Sequence, residues 1–300
     1  MTMAAPQRVA DGPIVAGEDL AGQQVYRVAQ FGTELGFVVI DSSIEGRARG
    51  GLRLVPGVTE LELRAAARAM TLKYGLLGLP QGGAKAGLHG DPDAPLPERR
   101  DRMLAFGRSI EPLLRARVFV PDADLGTRAD DIRWMMQALG LPVRRHDWQA
   151  NRSGEYTAVS CVAAARAALA RRGKALSDCR VAIEGCGSVG AAVADLLRRA
   201  GARIVAVSTS CAALYEPAGL DVDRLLQLAS SAGSRLIESY SRAQRLPRER
   251  LLELPVDLLC PCARHHSIHT ANAAAIAAPV ICAGANNPAS PEANDIFAHG

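Results

Sequence analysis

Three hundred residues exceed the ~100–200 of a usual single domain, and a hydrophobic content of 48% is enough to build substantial cores. A formal charge of +4, no run of basic residues and only 4% aromatic residues argue against a nucleic-acid surface. No apolar run approaches the ~20 residues of a spanning helix, and residues 1–17 lack the apolar core of a secretory signal. The expectation is a cytoplasmic chain with no membrane partner.

In chain order, the first elements are two short apolar runs, residues 36–41 and 51–55, around a polar connection that contains glycine. That pattern suggests paired strands. Thr59 and Glu62 form a capping-box signature, and Leu61, Ala65, Ala69, Leu72 and Leu76 then recur on one helical face until Pro80. Lys73 rides on this helix and Lys85 follows in a glycine-rich loop, residues 79–87. A second helix is expected from Glu98 to about Leu114, then a strand at Val118–Val120, then a helix capped by Thr127 and running through Leu139. The polar, Arg-rich residues 140–154, broken by Pro142, form the expected hinge, which divides the chain into domains 1–150 and 151–300. Beyond it the pattern becomes helix 156–171, strand 180–184, helix 188–200 and strand 203–207, with later strands at 256–260 and 279–282. Such alternation argues for a parallel sheet with crossover helices.

Only three of the 35 basic residues are lysines: Lys73, Lys85 and Lys174. Arginine stays protonated in proteins, whereas burial or a neighbouring cation lowers a lysine amine towards neutrality, where it can act as a base. Lys85 is therefore the first candidate for chemistry. Asp124, by itself, reads first as an acid stabilising the start of the following helix, and second as a catalytic acid.

The seven cysteines all lie in the second half, and their odd number points to reduced, buried thiols rather than a disulfide framework. Cys260, Cys262, His265, His266 and His269 cluster in sequence, but their spacing does not match structural zinc sites, so no metal is expected. Gly185-Cys-Gly187-Ser188-Val189-Gly190 follows an apolar strand and opens an alanine-rich helix. This is the placement a dinucleotide turn requires, with pyrophosphate at the positive helix end. The acid expected on a ribose is replaced by Ser208 and Thr209, so NAD and NADP both remain open.

Taken together, Arg49-Gly-Gly-Leu-Arg53, Met70-Thr-Leu-Lys73, Leu79-Pro-Gln-Gly-Gly-Ala-Lys85-Ala-Gly87, Asp122-Ala-Asp124-Leu-Gly-Thr127, the 185–190 turn, Pro261-Cys-Ala263 and Gly284-Ala-Asn286-Asn287-Pro288 resemble the glutamate/leucine/phenylalanine/valine dehydrogenases. The resemblance runs from about Gly36 to the C-terminus. It implies an α/β protein in which an N-terminal α+β substrate and oligomerisation domain precedes a Rossmann-like dinucleotide-binding domain, with the active site in the cleft between them. It further implies NAD(P)-dependent oxidative deamination of an L-amino acid to a 2-oxo acid and ammonia, in a homo-oligomer.

Carried over by position, Lys85 looks like the catalytic lysine that activates water, and Asp124 like the acid/base serving the amino group. Lys73 looks like the residue that binds the α-carboxylate, beside Gly50 and Gly51. Thr157, Ala263 and Asn286 fall where the family holds the nicotinamide and its ribose, and Gly185, Gly187, Ser188, Val189 and Gly190 where it holds pyrophosphate. Arg49 occupies the position that grips a distal carboxylate in glutamate-type members, which favours glutamate or another acidic substrate. It could equally face an acid of this protein. Relative to the family the second domain is short at its C-terminus. With the missing ribose acid, this sustains an alternative expectation, a non-catalytic or regulatory nucleotide-binding homologue.

Overall fold

A computed structural model describes residues 14–18, 22–30, 32–143 and 152–299. The chain divides into two compact units, Met1–Ala150 and Asn151–Gly300. The expected hinge falls mostly at 144–151, outside the described residues. No described helix is long and apolar enough to cross a membrane.

The first unit contains β1 (Ile14–Glu18), β2 (Gln24–Gln30), β3 (Thr33–Ile40), β4 (Ala48–Val55), α1 (Glu60–Leu76), β5 (Gly82–His89), α2 (Leu96–Ser109), α3 (Glu111–Arg115), β6 (Phe119–Ala123) and α4 (Ala129–Ala138). Its sheet runs β1-β2-β3-β5-β4-β6. β4 is parallel to β5 and β6, while β5 is antiparallel to β3. The two apolar runs therefore become β3 and β4 but do not pair with each other, because β5 lies between them.

The glycine-rich stretch that reads as a loop is this central strand, and Lys85 sits within it. Its residues are small because both faces are packed. Alternation sends Ala84, Ala86 and Leu88 towards the core shared with α2 and α4. On the opposite face, a Cβ on Gly83 would lie 2.3 Å from the Thr71 backbone nitrogen, and one on Gly87 would lie 2.5 Å from a Val58 methyl. The bare backbone lets α1 lie directly on the sheet.

The start of α1 follows from its cap: Thr59 Oγ1 accepts a hydrogen bond from the Glu62 amide at 3.3 Å. Its buried side differs from the expected row. Leu63, Ala67 and Tyr74 face the sheet, whereas Leu61 and Leu76 are 78% and 88% exposed. Spacing identifies a helical stripe but not which stripe meets the glycine-lined sheet, and here the narrow Ala67–Thr71 side fits that surface. Thr127 also differs from expectation, since the N-cap of α4 is Arg128, whose backbone amide donates to Asp131 Oδ2 at 2.8 Å. The Thr127 hydroxyl instead donates to the Leu52 carbonyl at 2.7 Å and accepts from the Asp124 amide at 2.9 Å.

The second unit contains α5 (Ser153–Ala170), β7 (Arg180–Glu184), α6 (Ser188–Arg199), β8 (Arg203–Ser208), β9 (Ala213–Tyr215), α7 (Val222–Ala232), α8 (Leu236–Ser239), β10 (Gln244–Leu246), β11 (Leu258–Pro261), α9 (Thr270–Ala273) and α10 (Pro291–His299). The sheet order is β10-β9-β8-β7-β11, with β11, β7 and β8 mutually parallel and the β9–β10 edge antiparallel. Val181 and Ile183 point to a core with α5 and α6, while Ala182 points to the opposite core with Leu251, Val256 and Leu259. The expected strand at 279–282 makes only a single bridge, Ile281 to Leu259. The seven cysteines are free, and Cys211 is exposed rather than buried.

The assignment of α1's faces is open to a direct check by urea unfolding. Leu63→Ala is expected to destabilise the protein by about 2–5 kcal/mol, and Leu61→Ala by no more than about 0.5 kcal/mol. The reverse ranking would overturn the assignment.

Candidate active site

In the first unit, the sheet face beneath α1 gathers an unusual density of charge. Lys85 Nζ on β5 lies 2.5 Å from Asp124 Oδ2, just past the end of β6. Arg53 Nε on β4 reaches the same oxygen at 2.9 Å, and its NH1 continues to Glu62 Oε1 on α1 at 2.5 Å. Lys85 is 5% exposed and Arg53 6%, so these are desolvated charges held by one another.

The geometry has local causes. A Cβ on Gly51 would lie 2.6 Å from the Asp124 Cβ, so glycine there makes room for the carboxylate. A Cβ on Gly50 would lie 1.7 Å from the Ala84 carbonyl oxygen, which only a bare backbone allows between β4 and β5. Asp124 itself is fixed through its backbone by Thr127.

Burial pushes the Lys85 ammonium below the ordinary lysine range. Asp124 opposes this shift, while Arg53 and Lys73 add to it. Burial alone would raise the Asp124 carboxyl, but the charges of Lys85 and Arg53 prevail and hold it below the usual range. The result is a carboxylate that stays ionised beside an amine made easier to deprotonate. Lys73 is exposed in the last turn of α1 and close enough for its charge to act on Lys85. Arg49 faces an acid of this protein, with its NH2 3.0 Å from Asp122 Oδ2.

In the second unit, Gly185 adopts φ +90°, which glycine alone enters freely. A Cβ on Gly190 would lie 1.9 Å from the Gly185 carbonyl oxygen, so the turn closes tightly. Gly187, the N-cap of α6, has open space around it, and Ser188 beside it is exposed. Tight glycines on the inside and an open one at the helix start form a cradle that fits a pyrophosphate. Val189, half-buried, is within 3.0 Å of where a Cβ on Gly284 would stand.

The remaining candidates divide. Ala263 abuts the turn, with its Cα 3.0 Å from a Cβ built on Gly185. The Cys262 amide donates to the Glu184 carbonyl, and the Gly284 amide to the Pro261 carbonyl; these bonds bring the segments of Ala263 and Asn286 to the carboxyl end of β7, where Asn286 is exposed. Thr157 is exposed on α5, and its hydroxyl donates to the Ser153 carbonyl.

Ser208 and Thr209 are engaged within the protein rather than presented to a ligand. Ser208, 2% exposed, accepts from the Gly185 amide at 3.1 Å. The Thr209 hydroxyl donates to the Ser234 carbonyl and accepts from the Cys211 amide.

Sequence reasoning missed several members of these clusters. Arg53 and Asp122 lie within the motifs at 49–53 and 122–127, and the only signal in the sequence is the Asp122-Ala-Asp124 pair of acids, since the arginines they meet are more than 70 residues away. Glu184, which precedes the turn, accepts from the Ser267 hydroxyl at 2.8 Å, and burial raises its carboxyl above the usual range. Among the described residues, no group of three or more His, Cys, Asp or Glu side chains is arranged to hold a metal ion.

Known proteins divide in the same way. Residues 27–140 match the family described as the Glu/Leu/Phe/Val dehydrogenase dimerisation domain, and residues 150–300 match Glutamate/Leucine/Phenylalanine/Valine dehydrogenase. A glutamate dehydrogenase of Thermotoga maritima is 32% identical over 275 residues, covering 87% of this chain and 66% of its own length. An NAD-specific glutamate dehydrogenase of Staphylococcus aureus is 31% identical over 268 residues, covering 84% of this chain and 63% of its own. A solved hetero-hexameric glutamate dehydrogenase from Thermus thermophilus, in a Leu-bound form, matches with a TM-score of 0.73 at 27% identity, over 95% of this chain and 68% of that one. The chain thus spans just under two thirds of the length of these curated relatives. With both of its units matched, the chain belongs to the glutamate/leucine/phenylalanine/valine dehydrogenase family.

Proposed function

We propose that this chain catalyses the NAD(P)-dependent oxidative deamination of an L-amino acid to its 2-oxo acid and ammonia, and the reverse reductive amination. The observation that carries the reading is the buried contact of Lys85 with Asp124, in which the amine is lowered and the carboxylate stays charged. Oxidative deamination needs an acceptor for the substrate's Cα hydride, then attack of water on the resulting imine carbon. A bound nicotinamide would supply the hydride acceptor. Gly185, Gly187, Ser188, Val189 and Gly190 would hold its pyrophosphate, with Thr157, Ala263 and Asn286 towards the nicotinamide end.

The chain's own groups would do the rest. Lys73, beside Gly50 and Gly51, would anchor the α-carboxylate. Lys85, deprotonated, would take a proton from the attacking water. Asp124, 2.5 Å from that amine, would move protons to and from the substrate nitrogen. The curated relatives named as glutamate dehydrogenases support the reaction class. Assembly as a homo-oligomer through the first unit is part of the same proposal, and the match to a dimerisation domain supports it.

One observation favours a second reading. Neither Ser208 nor Thr209 offers a free hydroxyl where a ribose acid would stand, which suits a nucleotide-binding or regulatory homologue without turnover. A spectrophotometric screen of amino acids, and of 2-oxo acids with ammonia, run with NAD and with NADP, separates the two. Turnover of any substrate supports the dehydrogenase; nucleotide binding without turnover supports the regulatory homologue.

Two variants test the roles. Lys85→Arg keeps the charge but removes the base, and should lower kcat by roughly 10²–10⁴-fold; unchanged turnover would refute the assignment. Asp124 holds the Lys85 amine up against burial and its cationic neighbours. Asp124→Asn should therefore shift the pH midpoint for acylation of Lys85, followed by competitive labelling and mass spectrometry, to a lower value. A shift to higher pH would contradict the described electrostatics.

A further inference from the structure

Within the cluster of Arg49, Arg53, Lys73 and Lys85 with Asp122, Asp124 and Glu62, the charges nearly cancel. Arg49, Arg53 and Lys85 each touch a carboxylate, from Asp122, Asp124 and Glu62. Lys73 adds one cation without an ion-pair partner among the described residues. A single positive charge in excess suits one carboxylate, the α-carboxylate of the substrate. A second carboxylate would meet Arg49 already engaged.

Asp122 is well placed to enforce this. Arg49 and Asp122 lie on adjacent parallel strands, with Arg49 opposite Val120 and Gly51 opposite Asp122. Asp122 Oδ2 binds Arg49, and its Oδ1 accepts from the Ala123 amide at 2.9 Å. Both oxygens are thus tied, one to the cation and one to the strand's own backbone. The acid is thereby held on β6 by its own backbone as well as by Arg49. The nearby phenol of Tyr74 feels both charges: burial raises its pKa, Arg49 lowers it and Asp122 raises it. The pair is one-third to one-half exposed, at 32% for Arg49 and 45% for Asp122, so it contributes little to stability but stands where a ligand can meet it.

We infer that Asp122 is a specificity-determining residue that compensates Arg49 and turns the site from dicarboxylic amino acids towards L-amino acids with uncharged side chains. The inference rests on the proposed deamination for the place of the substrate. Its physical content is negative selection: a distal carboxylate gains Arg49 but is set against Asp122, whereas an uncharged side chain meets no such repulsion.

The test compares L-glutamate with its isosteric amide, L-glutamine, using the full chain and the near-isosteric Asp122→Asn variant. The wild-type protein should have the higher kcat/KM for the amide, and Asp122→Asn should move the ratio towards glutamate by about tenfold or more. A wild-type preference for glutamate, or a ratio that the substitution changes by less than about twofold, overturns the inference. If neither amino acid is turned over, equilibrium dialysis with glutarate and its monoamide reads the same ratio from binding. A preference for the monoamide that Asp122→Asn moves towards glutarate by about tenfold or more upholds the role of Asp122 while the deamination reading stands or falls on the wider substrate screen. A change of less than about twofold overturns the role of Asp122, whatever that screen shows.

Discussion

The first unit is organised around a buried ionic contact that is stable only as a group. Moving Lys85, Arg53 and Asp124 out of water carries a large desolvation cost, and removing one member of such a cluster commonly costs about 3–5 kcal/mol because the remaining charge is stranded. The surrounding chain is arranged to keep the set complete. Gly51 clears space for the carboxylate, Thr127 pins its backbone, and Glu62 on α1 accepts from NH1 of the Arg53 guanidinium, whose Nε holds Asp124. The proposed chemistry and the packing of this unit therefore rest on the same few atoms. The packing that strips water from the amine shifts it towards neutrality, while the Asp124 partner that the same packing supplies opposes the shift and keeps the charge from being stranded.

The second unit reaches its site by backbone shape instead. Its candidate ligand contacts depend on glycine conformations, a helix end and short main-chain bonds that draw residues 261–263 and 284–286 beside the turn. Ser208 is an instructive case. Its hydroxyl joins the end of β8 to the Gly185 amide, which stabilises the turn from behind and removes the hydroxyl from the ligand side. Position at a strand end therefore does not decide whether a polar group serves a ligand or the scaffold.

Much of this was legible from residue order. The sequence pattern places β7 to the residue, and α6 and β8 to within one, because the two strands are short apolar runs and the helix begins where the glycine turn changes the period. The glycine turn is legible as a tight turn opening a helix, which the φ of Gly185 and the closeness of Gly190 bear out. Lys85 stood out because so few lysines accompany it, and Asp124 because of the motif around it. Other features were hidden for physical reasons. A strand whose first six residues are Gly, Ala and one Lys shows no hydrophobic alternation, so β5 reads as a loop; its strand character comes from neighbours on both edges and a helix above. The buried stripe of α1 depended on that same unseen strand. The pairing of Arg49 with Asp122 joins residues 73 positions apart, and only the adjacency of β4 and β6 makes it visible.

The seating of α1 on Gly83 and Gly87 has one more consequence. Where a helix rests on side chains, its height above a sheet drifts as those side chains change size. Here main chain meets main chain and a few methyl groups, so peptide dimensions set the spacing. Lys73 is carried by that helix and Lys85 by the strand beneath it, so the spacing between the backbones that bear the two amines is set largely by peptide dimensions.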